Sequence, residues 1–240
     1  MIDEPLTLIM PVYNEALIIE KVVREFHAAV TRCGVPVTLM IAEDGSEDGT
    51  KELLIQLQKE VPFTLVSSHQ RKGYTQAFKD ALSLARTPWV LFSDSDGQHD
   101  PEDIYKLLNG ASGDDIISGC KMPRRDAVHR RVLSSAYNTL IGLLFGLRMK
   151  DIDSGFKLIR RSVIDRVLPQ LKYMRYCVMS EFVLRAYLSG FKIREIPVRH
   201  YPRPAGETAI FRPERLPGIV WGLLRGLIKL KREYHDRISR

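Results

Sequence analysis

Short apolar runs alternate with longer amphipathic stretches through the first half of the chain. The apolar runs of four or five residues predict strands, and the stretches with apolar residues at every third or fourth position predict helices. The predicted strands are 6–10, 38–42, 64–67 and 89–93, and the helices between them are 15–33, 50–59 and 75–85. This alternation is typical of an α/β fold with a mostly parallel sheet between two layers of helices, whose ligands bind beyond the carboxyl ends of the strands.

The second half of the chain is less regular. It contains predicted strands at 116–119 and 193–198 and predicted helices at 133–147, 181–189 and 216–232. Two of these helices, 133–147 and 216–232, are amphipathic, and we interpret the apolar stripe of the first as core packing. The stripe of the second lies opposite Arg225, Lys229 and Arg232, a composition that suits a packed helix and a helix at an anionic membrane interface equally well. The pattern predicts one domain over 1–213 and a basic amphipathic helix over 214–240.

Charge narrows the choice of partners. Lys and Arg number 36 against 29 Asp and Glu in 240 residues, and residues 194–240 hold eleven of the basic and five of the acidic residues. Such an excess favours anionic partners such as nucleotides or acidic membranes. We do not expect nucleic acid as a partner, because the chain has no recognised binding motif and no interleaved basic and aromatic surface.

The cysteines and the N-terminal segment indicate the cellular compartment of the protein. Cys33, Cys120 and Cys177 are widely separated and lack metal-ligand spacing, so we expect neither a disulfide framework nor a zinc site. The chain opens without the residue order of a signal peptide, and basic residues interrupt its best apolar stretches. We therefore expect a cytoplasmic protein that meets a membrane from the side.

Polar motifs follow three of the predicted strands. Asp-Ser-Asp at 94–96 comes directly after the strand 89–93, while 11–15 and 43–50 follow the first two strands. Because parallel strands end at one rim of a sheet, we expect the three motifs to converge. Two carboxylates there suit a Mg²⁺ or Mn²⁺ ion that holds a diphosphate. Ser46 and Asp48 are also predicted to cap the helix at 50–59.

These motifs together resemble the start of a family 2 glycosyltransferase with the GT-A fold. The segments 130–134 and 151–156 resemble the branch of dolichyl-phosphate mannose synthases and bacterial polyprenyl-phosphate glycosyltransferases. The resemblance covers nearly the whole chain. It implies a catalytic domain over 1–213 that moves a sugar, with inversion, from GDP-mannose or a UDP-hexose to a polyprenyl or dolichyl phosphate, on the cytoplasmic face of a membrane.

The resemblance also implies roles for particular residues. The nucleotide-sugar would lie against Pro11, Tyr13, Glu15, Asp44, Lys72, Gly73 and Asp94. Asp96 and Gln98 would hold the Mg²⁺ or Mn²⁺ ion, which neutralises the leaving diphosphate. Next to them, His99 is interpreted as an exposed loop imidazole.

The acceptor phosphate would lie against Lys121, Arg130, Ser134 and Arg203. A lipid phosphate is already anionic, so positioning and charge matter more than a general base. Asp94, Asp96, Arg130 and Arg203 are thus the expected catalytic residues. Lys121 stands where this branch often has Arg, and a lysine cannot form a bidentate fork to phosphate, which weakens the acceptor assignment.

Two other functions stay open at this point. A glycosyltransferase with a hydroxyl acceptor would need a carboxylate base, for which Asp153 and Glu181 are candidates. A non-catalytic subunit that binds nucleotide or lipid would not need the carboxylates at 94 and 96.

Gly155 is interpreted as a source of backbone freedom in the loop at 151–156.

Overall fold

The computed structural model describes residues 2–111, 113–122, 128–204 and 216–239. The strands are β1 (Leu6–Val12), β2 (Val37–Glu43), β3 (Thr64–Ser67), β4 (Trp89–Ser93), β5 (Ile116–Lys121), β6 (Phe156–Arg160) and β7 (Ile193–Val198). The helices are α1 (Ile19–Thr31), α2 (Thr50–Leu57), α3 (Tyr74–Leu84), α4 (Ile104–Gly110), α5 (Val128–Phe145), α6 (Arg161–Val167), α7 (Val178–Leu188) and α8 (Leu216–Ile238). Short 3₁₀ turns at Pro101–Asp103 and Leu168–Gln170 lead into α4 and follow α6.

The strands form one mixed sheet in the order β3-β2-β1-β4-β6-β5-β7. The first four strands run parallel, as the alternating pattern predicts, and β5 and β7 are parallel to each other. β6 is antiparallel to both β4 and β5. Together with α4 and α6, β6 was not predicted from the sequence. The apolar run expected of a strand buried on both faces is interrupted in β6 by Lys157, which is fully buried and donates to the Ser118 hydroxyl and the Ser154 carbonyl.

Alternate residues of the central strands supply two cores, one on each face of the sheet. Leu8 and Met10 of β1 pack with α1, α2 and α4, whereas Ile9 between them packs with α3, α6 and α7. A fully buried side chain of this size contributes about 1.5–3 kcal/mol relative to an exposed one. Burial on both faces fixes the register of β1, and thereby the position of the loop that follows it.

A third apolar cluster joins α5, α7 and α8. Ile141, Leu184, Leu227 and Leu230 are buried in it. Arg185 of α7 crosses to α8, where its guanidinium nitrogens lie 3.1 and 3.3 Å from the carboxylate oxygens of Glu233. The described part of α8 is therefore packed on its neighbours; the expected boundary at 213/214 lies outside the described residues.

The two amphipathic helices also present apolar side chains to solvent. On α8 these are Val220, Trp221, Leu224 and Ile228, which recur at helical spacing. On α5, Leu133 is 46% exposed although we expected it in the core. Among the described residues, no helix has both the length and the apolar character needed to cross a bilayer.

Candidate active site

The loops after β1 and β2 are fastened to each other at the predicted rim. The Asn14 amide donates to the Ser46 hydroxyl (3.0 Å), the Ala16 amide donates to Asp48 (3.1 Å), and the Glu15 amide donates to Thr50 Oγ1 (2.9 Å). The expected capping by Ser46 is therefore wrong, since its hydroxyl is used across the loops. Asp48 does accept the Thr50 amide, although Gly49 occupies the N-cap position.

Asp44 joins this rim to the loop before α3. Its two carboxylate oxygens accept the backbone amides of Lys72 and Gly73, each at 2.9 Å. Gly45, with φ +70°, lets the two loops touch, because a Cβ there would lie 2.6 Å from the Arg71 amide nitrogen. The structure thus brings together three of the residues expected around the nucleotide.

Tyr13 lies on the same side and is half-buried. The Arg71 guanidinium sits over its ring, 4.0 Å from the centroid. A planar cation on an aromatic face forms a flat polar surface next to the Asp44 loop. Arg71 was not among the residues expected from the sequence, and no local pattern distinguishes it from other exposed arginines.

The Asp-Ser-Asp loop after β4 is held from three directions. The Asp94 amide donates to the Gly155 carbonyl (3.0 Å), and the Ser95 hydroxyl donates to the carbonyl of Pro11 at the end of β1 (2.7 Å). Gln98 donates from its side-chain amide to the Tyr201 carbonyl (3.1 Å), which assigns its amide oxygen, not its nitrogen, to a ligand. The loop is therefore anchored on β1, on the segment before β6 and on the segment after β7.

Asp94 is the most perturbed carboxylate in this loop. Burial, together with the charge of Asp96, raises its pKa to about 7, against the opposing charge of Lys121. The Tyr74 hydroxyl donates to Asp94 Oδ1 at 3.0 Å. A Cβ on Gly155 would lie 1.8 Å from Asp94 Oδ2, so this glycine is required for close approach, and the expectation that it supplies backbone freedom is wrong.

Negative charge accumulates around these carboxylates. The pKa of Glu15 rises to about 7 because burial outweighs the nearby Arg203 cation, and Asp96 and Asp48 add repulsion. No group of three or more His, Cys, Asp and Glu side chains among the described residues is arranged as a metal site. The Asp96 carboxylate and the Gln98 amide oxygen are hard oxygen donors, so they fit a Mg²⁺ or Mn²⁺ ion that keeps positions for phosphate oxygens and water.

Arg203 joins the segment after β7 to the loop after β1. Its Nη2 lies 2.6 Å from Glu15 Oε1, and both side chains are largely buried. Lys121, at the end of β5, is another cation of this region, and its charge acts on both Asp94 and His99. Two of the three cations predicted for the acceptor, Lys121 and Arg203, therefore act on carboxylates predicted for the donor.

Arg130 and Ser134 are half-buried and one turn apart on α5, which begins five residues before the helix predicted at 133–147. Arg131 and Ser135, the residues next to them, line a cleft of about 920 Å³ on the outer side of the helix, together with Lys150. Two stretches next to the acceptor region, 123–127 and the loop at 205–208, lie outside the described residues.

Two further expectations are wrong. His99 is 5% exposed, not an open loop imidazole: its ring stacks on Phe156 with centroids 4.9 Å apart, and burial, followed by the charge of Lys121, holds its pKa well below the ordinary value. Glu181 is 1% exposed, accepts three backbone amides from the segment 172–174 and pairs with Arg185. A carboxylate saturated in this way is structural and cannot serve as a catalytic base.

Comparisons with known proteins agree with this architecture. The Glycosyl transferase family 2 model matches residues 7–168. The undecaprenyl-phosphate 4-deoxy-4-formamido-L-arabinose transferase of Salmonella paratyphi A is 28% identical over 206 residues, covering 84% of this chain and 61% of that protein. The polyprenol monophosphomannose synthase of Mycolicibacterium smegmatis is 28% identical over 214 residues, covering 83% and 78%. The chain thus spans about 61% of the length of the first of these relatives.

Solved structures share the fold at lower identity. Glucosyl-3-phosphoglycerate synthase from Mycobacterium tuberculosis, in complex with Mn²⁺, UDP and phosphoglyceric acid, superposes with a TM-score of 0.70 at 18% identity, covering 93% of this chain and 78% of that one. A mannosyltransferase from Pyrobaculum calidifontis, in complex with GDP-Man and Mn²⁺, gives a TM-score of 0.68 at 18% identity, covering 97% and 65%.

Proposed function

The chain belongs to glycosyl transferase family 2, and from that premise we propose that it moves a sugar from a nucleotide-sugar to a polyprenyl or dolichyl phosphate at a membrane surface. The observation that carries this proposal is the meeting of two kinds of charge in one site. The charge of Lys121 acts on Asp94, and Arg203 forms an ion pair with Glu15. Carboxylates suit a donor with its metal, and cations suit an acceptor phosphate.

The donor nucleotide occupies the rim built by the loops after β1 and β2. Tyr13 and Arg71 offer a flat surface to a base, while Asp44 and the segment at 72–73 form the wall beside it. These surfaces suit the nucleotide of either GDP-mannose or a UDP-hexose. Relatives named for an arabinose derivative and for mannose support a sugar transfer.

Asp96 and Gln98 would hold a Mg²⁺ or Mn²⁺ ion. When bound, such an ion neutralises the charge that develops on the leaving diphosphate. The two structural neighbours described above were both solved with Mn²⁺, which supports a divalent metal here. The protein contributes the fixed loop: Ser95 and Gln98 tie it to the Pro11 and Tyr201 carbonyls, so the carboxylates are aimed before substrate arrives.

The acceptor is an anionic phosphate, so no side chain has to remove a proton. Lys121, Arg130, Ser134 and Arg203 orient the phosphate, and one of its oxygens attacks the anomeric carbon of the donor sugar. The new bond from carbon to the acceptor oxygen forms as the bond to the nucleoside diphosphate breaks. A single displacement of this kind inverts the configuration at the anomeric carbon.

The two curated relatives described above carry undecaprenyl phosphate and polyprenol in their names, which supports a lipid acceptor. Exposed apolar side chains on α5 and α8 support attachment to a membrane surface, and we propose that this is the cytoplasmic face. Exposed Arg225, Lys229 and Arg232 on α8 add attraction to anionic headgroups. The proposed enzyme is therefore a peripheral membrane protein that binds the surface through α5 and α8.

The rival with a hydroxyl acceptor depends on Asp153. Desolvation of the carboxyl raises its pKa although the residue as a whole is exposed, and Oδ1 accepts both the amide and the hydroxyl of Ser180. One of its oxygens is thus already occupied, which favours the phosphate acceptor over this alternative.

One incubation tests donor and acceptor together. Purified protein with Mn²⁺ is given a panel of radiolabelled nucleotide-sugars and either undecaprenyl or dolichyl phosphate, and the products are extracted into organic solvent. We expect label in the organic phase with one donor only, and none without lipid phosphate. Label that stays in water and moves to a glycan or protein acceptor would support the rival, and no transfer under any combination would refute an enzymatic role.

A further inference from the structure

Tyr74 is the first residue of α3 and the chain's direct link between the nucleotide rim and the Asp94 carboxylate. It follows Gly73, whose amide is held by Asp44 at 2.9 Å. Its neighbour Thr75 donates to the Arg175 carbonyl at 2.6 Å, so the backbone around the tyrosine is fixed on both sides. The residue is 41% exposed, yet its hydroxyl points inward and donates to Asp94 Oδ1 at 3.0 Å.

Asp94 is confined by two contacts from opposite sides. Gly155 touches Oδ2 so closely that a Cβ there would fall 1.8 Å away. Tyr74 holds Oδ1 through its hydroxyl. A carboxylate confined in this way keeps one orientation without spending conformational entropy when the ligand binds. Burial and the nearby carboxylates raise the pKa of the Tyr74 phenol well above its ordinary value, so the hydroxyl remains a donor.

The position of Asp94 indicates which part of the donor it meets. On one side, Tyr74 and Gly73 connect it to Asp44 at the nucleotide rim. In the sheet, β2 and β5 lie on opposite sides of β4, and β5 ends at Lys121, a cation predicted for the acceptor whose charge acts on Asp94. The group of a nucleotide-sugar that lies between its diphosphate and the acceptor is the sugar.

We infer that Tyr74 is a positioning residue: it orients Asp94 toward the sugar of the donor, so that the site discriminates a nucleotide-sugar from the free nucleoside diphosphate. The inference rests on the proposed donor class, and it assigns to Tyr74 a part in selecting the donor. Within the Tyr74 side chain the hydroxyl is the group that orients Asp94, because it forms the hydrogen bond to the carboxylate.

Tyr74→Phe removes that hydroxyl and keeps the ring. Tyr105→Phe is the matched control, because the Tyr105 hydroxyl also donates at 3.0 Å, to the Ala29 carbonyl on α1, away from the site. Calorimetric titration in Mn²⁺ measures two dissociation constants for each variant: one for the nucleotide-sugar identified by the transfer assay and one for its nucleoside diphosphate. Thermal unfolding of both variants measures any loss of stability.

We expect Tyr74→Phe to weaken binding of the nucleotide-sugar about tenfold, the order expected for a lost hydrogen bond to a charged group, while nucleoside diphosphate binding changes less than about twofold. Tyr105→Phe is expected to leave both constants unchanged. In an Asp94→Ala background, Tyr74→Phe should have no further effect on nucleotide-sugar binding, because the group that it orients is gone.

Three results would overturn the inference: unchanged nucleotide-sugar binding in Tyr74→Phe, an equal loss for the sugar nucleotide and the diphosphate, or the same loss in Tyr105→Phe. Failure of the proposed function is seen separately, as wild-type protein that binds no nucleotide-sugar or transfers none to lipid phosphate. The binding ratio of the two ligands does not depend on which acceptor is used.

Discussion

Arg203 Nη2 lies 2.6 Å from Glu15 Oε1, which connects the segment after β7 to the loop after β1. The two residues are 188 positions apart in the chain. One was predicted for the acceptor phosphate and the other for the donor nucleotide, so their ion pair spans the two halves of the site. An anionic substrate that recruits Arg203 must compete with Glu15 for the guanidinium.

The perturbed carboxyl of Glu15 gives a pH dependence of stability. Its pKa is about 7 in the fold and 4.5 ordinarily, so between these values the unfolded chain has released a proton that the folded chain still holds. The free energy of unfolding therefore falls as pH rises through this window. Because the side chain introduced by Glu15→Gln cannot titrate, the free energy of unfolding of this variant should not show that decrease. The stability of the variant relative to wild type should therefore increase from about pH 4 to about pH 8. Urea unfolding across that range measures it.

Glu25→Gln is the control for this experiment, since Glu25 is an exposed carboxylate on α1 paired only at 3.7 Å with Lys21. Its pH profile measures what the loss of one exposed acidic side chain does by itself. Parallel profiles for wild type and Glu15→Gln would show that the carboxyl is not perturbed in the fold.

Removal of the metal and removal of the Asp96 carboxylate should have the same effect on transfer and on donor binding. Asp96→Ala is expected to abolish transfer and metal-dependent donor binding while the protein still unfolds cooperatively, because the loop is held by Ser95 and Gln98 rather than by Asp96 alone. Excess chelator should do the same to wild type. Asp165→Ala, which removes an exposed carboxylate on α6, is the control. Near-normal turnover in Asp96→Ala, or in chelator, would contradict the metal role.

Gly155→Ala tests the packing around Asp94. The added methyl group would lie 1.8 Å from Asp94 Oδ2, so the carboxylate has to move. We expect kcat/KM to fall on the order of 100-fold, as displacements of about 1 Å do to reacting groups. Gly218→Ala on α8, where a Cβ would meet no atom within 4 Å, serves as the control. A Gly155→Ala enzyme with wild-type kinetics would show that the orientation of Asp94 is unimportant.

The exposed face of α8 separates membrane docking from folding. Trp221 and Ile228 are 63% and 50% exposed, so replacing each with Ser should reduce co-sedimentation with anionic liposomes about tenfold without lowering the melting temperature. Ile55→Ser on α2, at 44% exposure, is the control for a general loss of apolar surface. Deletion of 214–240 is a poorer test, since Leu227 and Leu230 are buried against α5 and α7. Undiminished sedimentation of the Trp221 and Ile228 variants would place the membrane contact elsewhere.

The proposed single displacement predicts the stereochemistry of the product. An α-linked nucleotide-sugar should give a β-linked lipid phosphate sugar, because no side chain forms a covalent intermediate. NMR of the anomeric centre of the extracted product distinguishes the two configurations. A product with retained configuration would contradict the single displacement, because retention requires two displacements and a nucleophilic side chain.

Much of the first half of the fold followed from local patterns. Apolar runs and helical periodicity predicted β1 to β4 and α1 to α3, since strands buried on both faces and helices with one buried face leave these patterns in any single stretch of chain. The carboxylates at 94 and 96 were predicted at a strand end for the same reason: a polar turn that follows a buried strand must lie at the edge of the sheet.

What lay beyond the sequence was decided by contacts between distant segments. β6 lies between β4 and β5 and buries Lys157 completely. The polarity of a single segment does not predict a buried lysine. Its burial depends on Ser118 Oγ and the Ser154 carbonyl, which accept hydrogen bonds from its ammonium group. His99 was predicted to be exposed because it lies in a loop, but it is buried against Phe156 of β6 and His200 of the segment after β7.

The same division holds for the site and for α8. The sequence determined that the chain carries carboxylates, arginines and a basic amphipathic helix. Only the tertiary structure decided that Tyr74 holds Asp94, that Arg203 pairs with Glu15, and that one apolar stripe divides into a packed face with Leu227 and an exposed face with Trp221. The physical reason is that periodicity records how one element meets its surroundings, whereas a hydrogen bond or a packed face depends on which other segment arrives there.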